Sequence, residues 1–155
     1  MEKIISINNL CIGFNKYADV VKNVNIDVVK GKTTAIVGES GSGKTLSALS
    51  ILKLLPNGAN IKTGEIIYNN QNLLNLSQKE IQNIRGNKIS TIFQEPMTSL
   101  NPLHTINKQI EEIITTHNKL SKKEAKKRTI KLLNEVGLSD ISSRPKIYPY
   151  ELSGG

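Results

Sequence analysis

A length of 155 residues with 37% apolar and 22% charged side chains suits about one globular domain and argues against wholesale disorder. No stretch approaches the roughly 20 apolar residues of a membrane span, and the N-terminus MEKIISINNL shows neither the apolar core nor the cleavage site of a secretory signal. The single cysteine, Cys11, excludes an internal disulfide and fits a reducing compartment. We therefore expect a cytoplasmic protein.

The net charge of +8 is concentrated in one segment, KLSKKEAKKRTIK, from Lys119 to Lys131. Of the 21 basic residues in the chain, 18 are lysines, and no aromatic residues interleave this segment. Lysine supplies point charges without the bidentate or stacking contacts of arginine. The segment is explained by the solvated face of a helix, so we predict that nucleic acid is not a partner.

The first elements in chain order are strands. IISINNL is rich in β-branched residues, and Val24–Val28 alternates apolar and polar side chains at the period of a half-buried strand. Thr33–Val37 is a continuous apolar and β-branched run, which predicts a strand buried on both faces. After GESGSGKT, the segment LSALSILKLL has leucines at helical spacing and is ended by Pro56 and Gly58.

The next predicted elements complete a mixed region that runs to about residue 95. GEIIYNN is typical of a strand. SQKEIQNIR predicts a short helix that begins with a capping box formed by Ser77 and Glu80. KISTIFQ, residues 88–94, predicts another buried strand.

The region after Gln94 is predicted to be helical. EPMTSLNPLHT is a proline-punctuated connector, and INKQIEEIITTH and SKKEAKKRTIKLLNEVGL both have helical periodicity. In the second helix, Ser121 and Glu124 form a capping box, and Gly137 suits the C′ position. Its apolar stripe is predicted to consist of Ile130, Leu133 and Val136. We therefore divide the chain into residues 1–95 and 96–155.

One motif specifies chemistry: residues 38–45 match G-x-x-x-x-G-K-[ST] in full. A predicted strand precedes the loop and a helix follows it, which disfavours the alternative of a Gly/Ser-rich turn. Glycines let successive N–H groups point inward as an anion-binding nest at a helix N-terminus. Lys44 can contact the β- and γ-phosphates, and the Thr45 hydroxyl can ligate Mg²⁺. The predicted ligand-binding residues are Gly38, Glu39, Ser40, Gly41, Ser42, Gly43, Lys44 and Thr45.

The order of motifs along the chain resembles the ATP-binding cassette family from end to end. Gln94 follows a predicted strand, a helical region comes next, and the chain ends in LSGG, which is Leu152, Ser153, Gly154 and Gly155. The resemblance implies an α/β P-loop NTPase (RecA-like) core with an antiparallel β subdomain and an α-helical subdomain, incomplete at the C-terminus. It also implies that Gln94 is the Q-loop glutamine, with a catalytic role and a place in the Mg²⁺ site.

The same resemblance assigns LSGG as the family's signature loop. This loop would close over the ATP held by a facing cassette, so the implied partner is a second cassette in the same chain or another. A Ser-Gly-Gly loop suits this role because free N–H groups bind phosphate.

The stretch FQEPMTSLNP looks like the oligopeptide, dipeptide and nickel importers, and resembles most the peptide and microcin C importers of bacteria. The resemblance implies an ATPase subunit that couples ATP hydrolysis to peptide uptake at the cytoplasmic face of the inner membrane. Its implied partners are membrane permease subunits and, indirectly, a solute-binding protein. The alternatives are import of nickel or another solute, a soluble cassette of DNA repair or translation, and a P-loop kinase or GTPase, which should not carry LSGG.

The sequence determines the roles of several residues less completely. Adenine could stack on Phe14 or Tyr17, and we prefer Tyr17. His104 and His117 have no cysteine or carboxylate at ligand spacing, so packing or surface roles are expected. The family's acidic strand and switch histidine do not follow LSGG in this sequence, and Glu39 and Glu95 do not resemble the catalytic glutamate. We therefore expect the 155 residues alone to lack ATPase activity.

Overall fold

The computed structural model describes residues 1–15, 18–95 and 99–152. The chain divides into two compact units, Met1–Arg85 and Gly86–Gly155. This division falls ten residues before the boundary suggested by the sequence, because the segment that includes Gln94 belongs to the second unit.

The first unit is built on an antiparallel sheet of four strands, β1 (Lys3–Phe14), β2 (Asp19–Val29), β3 (Ala59–Tyr68) and β4 (Gln71–Asn72). Their order across the sheet is β2-β1-β3-β4. The predicted strands IISINNL, Val24–Val28 and GEIIYNN are confirmed as parts of β1, β2 and β3. In β1, alternate residues are buried on each side of an irregularity between Ile7 and Leu10. The buried apolar side chains of the sheet are Ile5, Ile7, Leu10, Ile12, Val21 and Ile66.

The central pair of strands has a close backbone contact that only glycine permits. Gly64 in β3 has φ +104°, and a Cβ placed there would lie 2.6 Å from Leu10 Cα and 2.8 Å from the carbonyl oxygens of Asn8 and Asn9. The pairing of β1 with β3 is irregular between Asn8 and Cys11, which is the pattern of a β-bulge. Gly64 therefore lets the two strands approach where β1 bulges.

The helix after the glycine-rich loop, α1 (Lys44–Ser50), is shorter than predicted and buries a different face. The sequence pattern placed leucines on the inner side, and Leu52, just beyond the helix, is buried as that pattern requires. Within α1, however, the buried side chains are Ser47 and Ser50, while Leu46 and Leu49 are half-buried. The hydroxyls donate to Gly43 O at 3.0 Å and to Ser47 O at 2.7 Å. These bonds satisfy the buried hydroxyls within the helix itself.

Two predicted strands are wrong. Thr33–Val37 and residues 88–94 have no strand structure, apart from a single bridge between Arg85 and Ile89. Their side chains are exposed rather than buried: Val37 is 89% exposed and Ile92 is 95% exposed. A strand of a parallel sheet needs neighbours on its edges and layers on its faces, and no strand in the described part of the chain pairs with either segment.

The remaining predicted helix of the first unit is confirmed as α2 (Gln78–Ile84) with its capping box. Ser77 N donates to Glu80 Oε2 at 2.8 Å, and Glu80 N donates to Ser77 Oγ at 3.4 Å. Hydrogen bonds from the Ser77 side chain and backbone hold the pKa of the Glu80 carboxyl below its ordinary value.

The second unit is helical, as predicted, with α3 (Ile106–His117), α4 (Lys122–Glu135) and α5 (Ser139–Ser143). Its core is the cluster Ile106, Leu133, Ile141 and Ile147, with Leu100, Ile110 and Leu152 packed against it. The predicted apolar stripe of α4 is only partly correct, because Val136 is 69% exposed. The buried face is Ala125, Thr129 and Leu133, which are spaced four residues apart.

Both ends of α4 follow the sequence prediction. Ser121 and Glu124 form the capping box, and Gly137 has φ +79° directly after the C-cap, as the C′ position requires. Hydrogen bonds from the Ser121 side chain and backbone lower the pKa of the Glu124 carboxyl. Across the residues that the structure describes, none of the helices has the length and apolar character needed to cross a membrane.

Candidate nucleotide-binding site

The loop of residues 38–45 connects the exposed segment Thr33–Val37 to the first turn of α1. Gly43 is the N-cap of α1 and has a left-handed conformation with φ +88°. A Cβ at this position would lie 2.6 Å from Val21 Cγ2 and 3.4 Å from Val20 O. Glycine is therefore required both by the backbone conformation and by the close seating of the loop against β2.

The Lys44 side chain folds back over its own loop. Its ammonium donates to Gly38 O at 2.8 Å and to Glu39 O at 2.7 Å, while Ser42 N donates to Glu39 O at 3.3 Å. An ammonium has three donors, so two fasten Lys44 to the loop and one remains for a ligand. This arrangement places a positive charge beside the helix N-terminus, where the dipole of α1 also favours an anion.

The loop borders a cavity of about 150 Å³ that is lined by Val20 of β2 and by residues 41–46. The cavity therefore has room for a phosphate group beside Lys44 and Thr45. Tyr17, which the sequence favours for stacking on adenine, lies outside the described residues.

The Thr45 hydroxyl is the candidate metal ligand within the loop, and Thr45 is exposed. Among the described residues, no group of three or more His, Cys, Asp or Glu side chains could hold a metal ion. Mg²⁺ accepts such sparse protein ligation, because it keeps several waters and is usually held by one or two protein oxygens together with substrate phosphates. A hydroxyl at the mouth of a phosphate site fits that chemistry.

The opposite end of α1 is held by Arg85, which the sequence analysis treated only as the end of a short helix. Arg85 Nε donates to Leu52 O at 2.7 Å and Nη2 donates to Lys53 O at 2.9 Å. Lys53 adopts a left-handed conformation with φ +52°, and its ammonium donates to Leu76 O at 2.6 Å. No sequence pattern marks these contacts, because the carbonyls that Arg85 binds lie more than thirty residues earlier in the chain.

The other candidate residues belong to the second unit. Gln94 is exposed and is the last residue of the exposed segment 88–94. Leu152 packs against the helical core, and the turn before it is ordered by Glu151, whose carboxylate accepts a hydrogen bond from Tyr148 N at 2.7 Å. Ser153, Gly154 and Gly155 lie outside the described residues. The structure therefore describes the approach to LSGG but not the glycine loop itself.

His104 and His117 also lie in this unit. His104 Nε2 is 3.0 Å from the Lys108 ammonium, and His117 lies near Gly86. In the described ranges 1–15, 18–95 and 99–152, neither belongs to a group that could hold a metal ion.

Comparison with known proteins relates this chain to one family. The profile of the family described as ABC transporter matches residues 21–155. The chain is 45% identical to the dipeptide transport ATP-binding protein DppD of Bacillus subtilis, covering all of this chain and 48% of the relative. It is 46% identical to the DppD protein of Lactococcus lactis, covering 99% of this chain and 45% of the relative. The oligopeptide transport ATP-binding protein OppD of Bacillus subtilis is 44% identical, and 44% of its length is covered.

Solved structures show the same relationship. A dimeric structure of the ATP-binding cassette MJ0796, in a post-hydrolysis state bound to ADP and Pi, superposes with a TM-score of 0.76 at 25% identity, covering 97% of this chain and 63% of that one. A second dimeric structure of MJ0796 gives a TM-score of 0.78 at 28% identity, over 97% of this chain and 63% of that one. The predicted P-loop NTPase fold class is confirmed by these neighbours. The chain spans about half the length of the curated relatives it matches.

Proposed function

Because this chain belongs to the ABC transporter family, we propose that it is the N-terminal part of an ATP-binding subunit that drives peptide uptake. The observation that carries this proposal is the loop of residues 38–45, where Lys44 is folded over two loop carbonyls at the N-terminus of α1. The names of the most similar relatives support peptides as the transported class, since they are dipeptide and oligopeptide transport ATP-binding proteins.

In this proposal, the loop binds the phosphates of Mg·ATP. The backbone N–H groups and Lys44 hold the β- and γ-phosphates, and the Thr45 hydroxyl supplies one ligand to Mg²⁺. Gln94 completes the metal site and senses the γ-phosphate, and Tyr17 stacks on the adenine. Ser153, Gly154 and Gly155 bind the nucleotide held by a facing cassette.

The first experiment measures ATP binding. Lys44→Ala removes a charge-assisted hydrogen bond, which is worth about 1.5–3 kcal/mol, so the Kd for Mg·ATP measured by calorimetry should rise roughly 10- to 150-fold. Lys79→Ala is the matched control, because Lys79 is an exposed lysine on α2 and does not line the phosphate cavity. Equal affinity of Lys44→Ala and the unsubstituted chain would refute the proposed phosphate site.

A second experiment separates binding from coupling. In the assembled importer, Gln94→Ala should lower substrate-stimulated ATP hydrolysis more than it lowers ATP affinity, because Gln94 lies outside the phosphate loop that supplies most of the contacts to ATP. Loss of nucleotide binding with intact coupling would contradict this role. Ser153→Arg should likewise block turnover and leave ATP bound, since Ser153 is proposed to act on the partner's nucleotide.

We also propose a location, partners and an activity for this protein. We propose that the protein acts at the cytoplasmic face of the inner membrane, bound to permease subunits and paired with a second cassette. Glu39 is in the phosphate loop and Glu95 follows Gln94, so neither is proposed as the base for hydrolysis. The 155 residues alone should therefore bind Mg·ATP without releasing phosphate at the rate of intact cassettes, as a phosphate-release assay would measure.

A further inference from the structure

Asn57 is the only asparagine of the chain that is followed by a glycine. Both residues are exposed and lie in a turn on the connection from α1 to β3. Ala59 N donates to Pro56 O at 3.1 Å, which closes this turn around them. Gly58 has φ +84°, the conformation that the third residue of a type II turn requires and that glycine adopts without strain. The turn therefore presents an Asn-Gly pair to solvent.

The side chain of Asn57 and the backbone nitrogen of Gly58 are not engaged elsewhere. Within the described part of the chain, neither the Asn57 amide nor Gly58 N has a hydrogen-bond partner. An amide without a partner is free to reorient, and glycine has no side chain that would shield its own nitrogen. Gly58 N can therefore approach Cγ of Asn57, and a bond between these two atoms would close a five-membered ring.

We infer that Asn57–Gly58 is a site of spontaneous deamidation, at which the chain modifies itself. Gly58 N gives up its proton and bonds to Asn57 Cγ, and the side-chain nitrogen takes up a proton and leaves as ammonia. Water then opens the resulting succinimide. Cleavage of the new bond to Cγ gives aspartate, whereas cleavage of the original peptide bond gives isoaspartate. The net change is hydrolysis of an amide to an acid and ammonia, so the reaction needs only water.

Asn60, in β3, shows what keeps a nearby asparagine in its amide form. Its Nδ2 donates to Gly58 O at 3.1 Å, so the amide is held in place. The next residue, Ile61, is paired with Ile12 of β1, and its β-branched side chain crowds its own backbone nitrogen. Asn57 and Asn60 are both exposed. The difference that we expect between them therefore comes from their partners and neighbours rather than from access to water.

The modification has a structural consequence, because the turn is bonded to the end of β1. Gly58 O accepts a hydrogen bond from Asn15 N at 3.3 Å. Isoaspartate adds one methylene group to the backbone between Asn57 and Gly58, which displaces Gly58 O from Asn15 N. Aspartate adds a charge but leaves the length of the backbone unchanged. We therefore expect isoaspartate, and not aspartate, to release the end of β1.

The test follows both asparagines in one peptide. Lysyl endopeptidase cleaves after Lys53 and Lys62, so residues 54–62, LLPNGANIK, contain Asn57 and Asn60 together. The purified protein is incubated at mildly alkaline pH and then digested at mildly acidic pH, where deprotonation of the backbone nitrogen, and with it the reaction, is suppressed. Fragment ions locate the acid at one asparagine or the other, and labelling by an isoaspartate-directed methyltransferase measures the isomerised product.

We expect Asn57 to deamidate at least roughly tenfold faster than Asn60 in the folded protein. Equal rates at the two positions would overturn the inference, and so would a reaction at Asn57 that occurs only after unfolding in urea. Gly58→Ala places a methyl group beside the attacking nitrogen and should slow the reaction severalfold; an unchanged rate would contradict the proposed attack. If Gly58→Ala does not fold because of its positive φ, the comparison of Asn57 with Asn60 decides the inference alone.

Hydrogen–deuterium exchange tests the consequence for β1. Exchange at Asn15 N should rise severalfold in the isoaspartyl protein after it is separated by chromatography. Asn57→Asp has the charge without the extra methylene group, so its exchange should match that of the unmodified protein. Equal exchange in the isoaspartyl and unmodified proteins would refute the link to β1. None of these measurements involves a nucleotide or a transporter, so this inference and the proposed function can fail separately.

Discussion

Replacing Arg85 by alanine tests whether the far end of the nucleotide-binding helix is held as the structure indicates. The guanidinium donates to two consecutive carbonyls, Leu52 O at 2.7 Å and Lys53 O at 2.9 Å, and both bonds are part-buried. Hydrogen bonds from charged groups contribute about 1.5–3 kcal/mol each, and a carbonyl left without a partner adds a desolvation cost. Allowing for relaxation and for access of water, we expect Arg85→Ala to destabilise the protein by roughly 2–4 kcal/mol.

The assay is thermal unfolding followed by circular dichroism, with ATP affinity measured on the same samples. For a chain of this size, 2–4 kcal/mol corresponds to a fall in Tm of roughly 5–15 °C. Arg85→Lys keeps the charge but offers no rigid pair of donors, so it should recover less than half of the loss. Because α1 carries Lys44 at its other end, Arg85→Ala should also weaken ATP binding.

Arg128→Ala is the control for this experiment. Arg128 is exposed on α4, and alanine is compatible with a helix, so this variant should match the unsubstituted protein. If Arg85→Ala had the same Tm and ATP affinity as Arg128→Ala, the two hydrogen bonds would contribute nothing, and the account of how α1 is held would be wrong.

Three further predictions concern other parts of the chain. Gly64→Ala should destabilise the sheet by roughly 2–4 kcal/mol in urea unfolding, whereas Gly31→Ala, with φ +69° and nothing within 4 Å of the added Cβ, should cost much less. Ser121→Ala should cost about 1 kcal/mol at neutral pH. The pKa of Glu124 is lowered in the folded protein, so the stability from this capping box should be present above the ordinary value of 4.5 and be lost as the pH falls through the folded pKa; a pH-independent effect of the substitution would contradict this. Ile92→Lys should reduce concentration-dependent association in sedimentation experiments, because Ile92 is a 95% exposed apolar residue.

The features that sequence reasoning predicted correctly are those decided by residues close together in the chain. The capping boxes at Ser77 and Ser121 each depend on a glutamate three residues later, and Gly137 ends a helix by its own conformational freedom. The glycine-rich loop is likewise a contiguous motif. In each case the interacting groups lie within one turn, so the sequence contains the whole interaction.

The two incorrectly predicted strands show what local sequence patterns do not predict. The apolar side chains of Thr33–Val37 and of residues 88–94 led to the prediction that both segments are buried strands. A strand of a parallel sheet, however, is stabilised by partner strands that lie far away in sequence. By contrast, β1 and β2 are antiparallel neighbours in the chain, so β-branched composition in β1 and alternation in β2 were sufficient to find both strands. Apolar composition therefore predicts that a segment tends to be buried, but it does not identify the strand with which that segment would pair.

Side chains that bind distant backbone groups were also beyond sequence reasoning. Arg85 reaches carbonyls more than thirty residues earlier, and no periodicity or motif marks such a contact. Gln109 Nε2 donates to carbonyls that lie closer in the chain, Asn101 O at 3.0 Å and His104 O at 2.9 Å. The amide of a glutamine in an amphipathic helix is nevertheless ordinarily predicted to face solvent. Both became recognisable only when their hydrogen-bond partners were seen.

The nucleotide loop shows why a motif alone does not fix a site. Glycines and Lys44 supply the chemistry, but the loop is seated by Gly43 against Val21 of β2. The buried Ser47 hydroxyl then ties α1 to Gly43 O at 3.0 Å. A leucine in place of Ser47 would lose this side-chain hydrogen bond, and its larger side chain would have to fit at a position that is only 4% exposed. The small polar face of α1 is therefore a consequence of the site, because the loop can lie against the sheet only if the helix that carries it does so too.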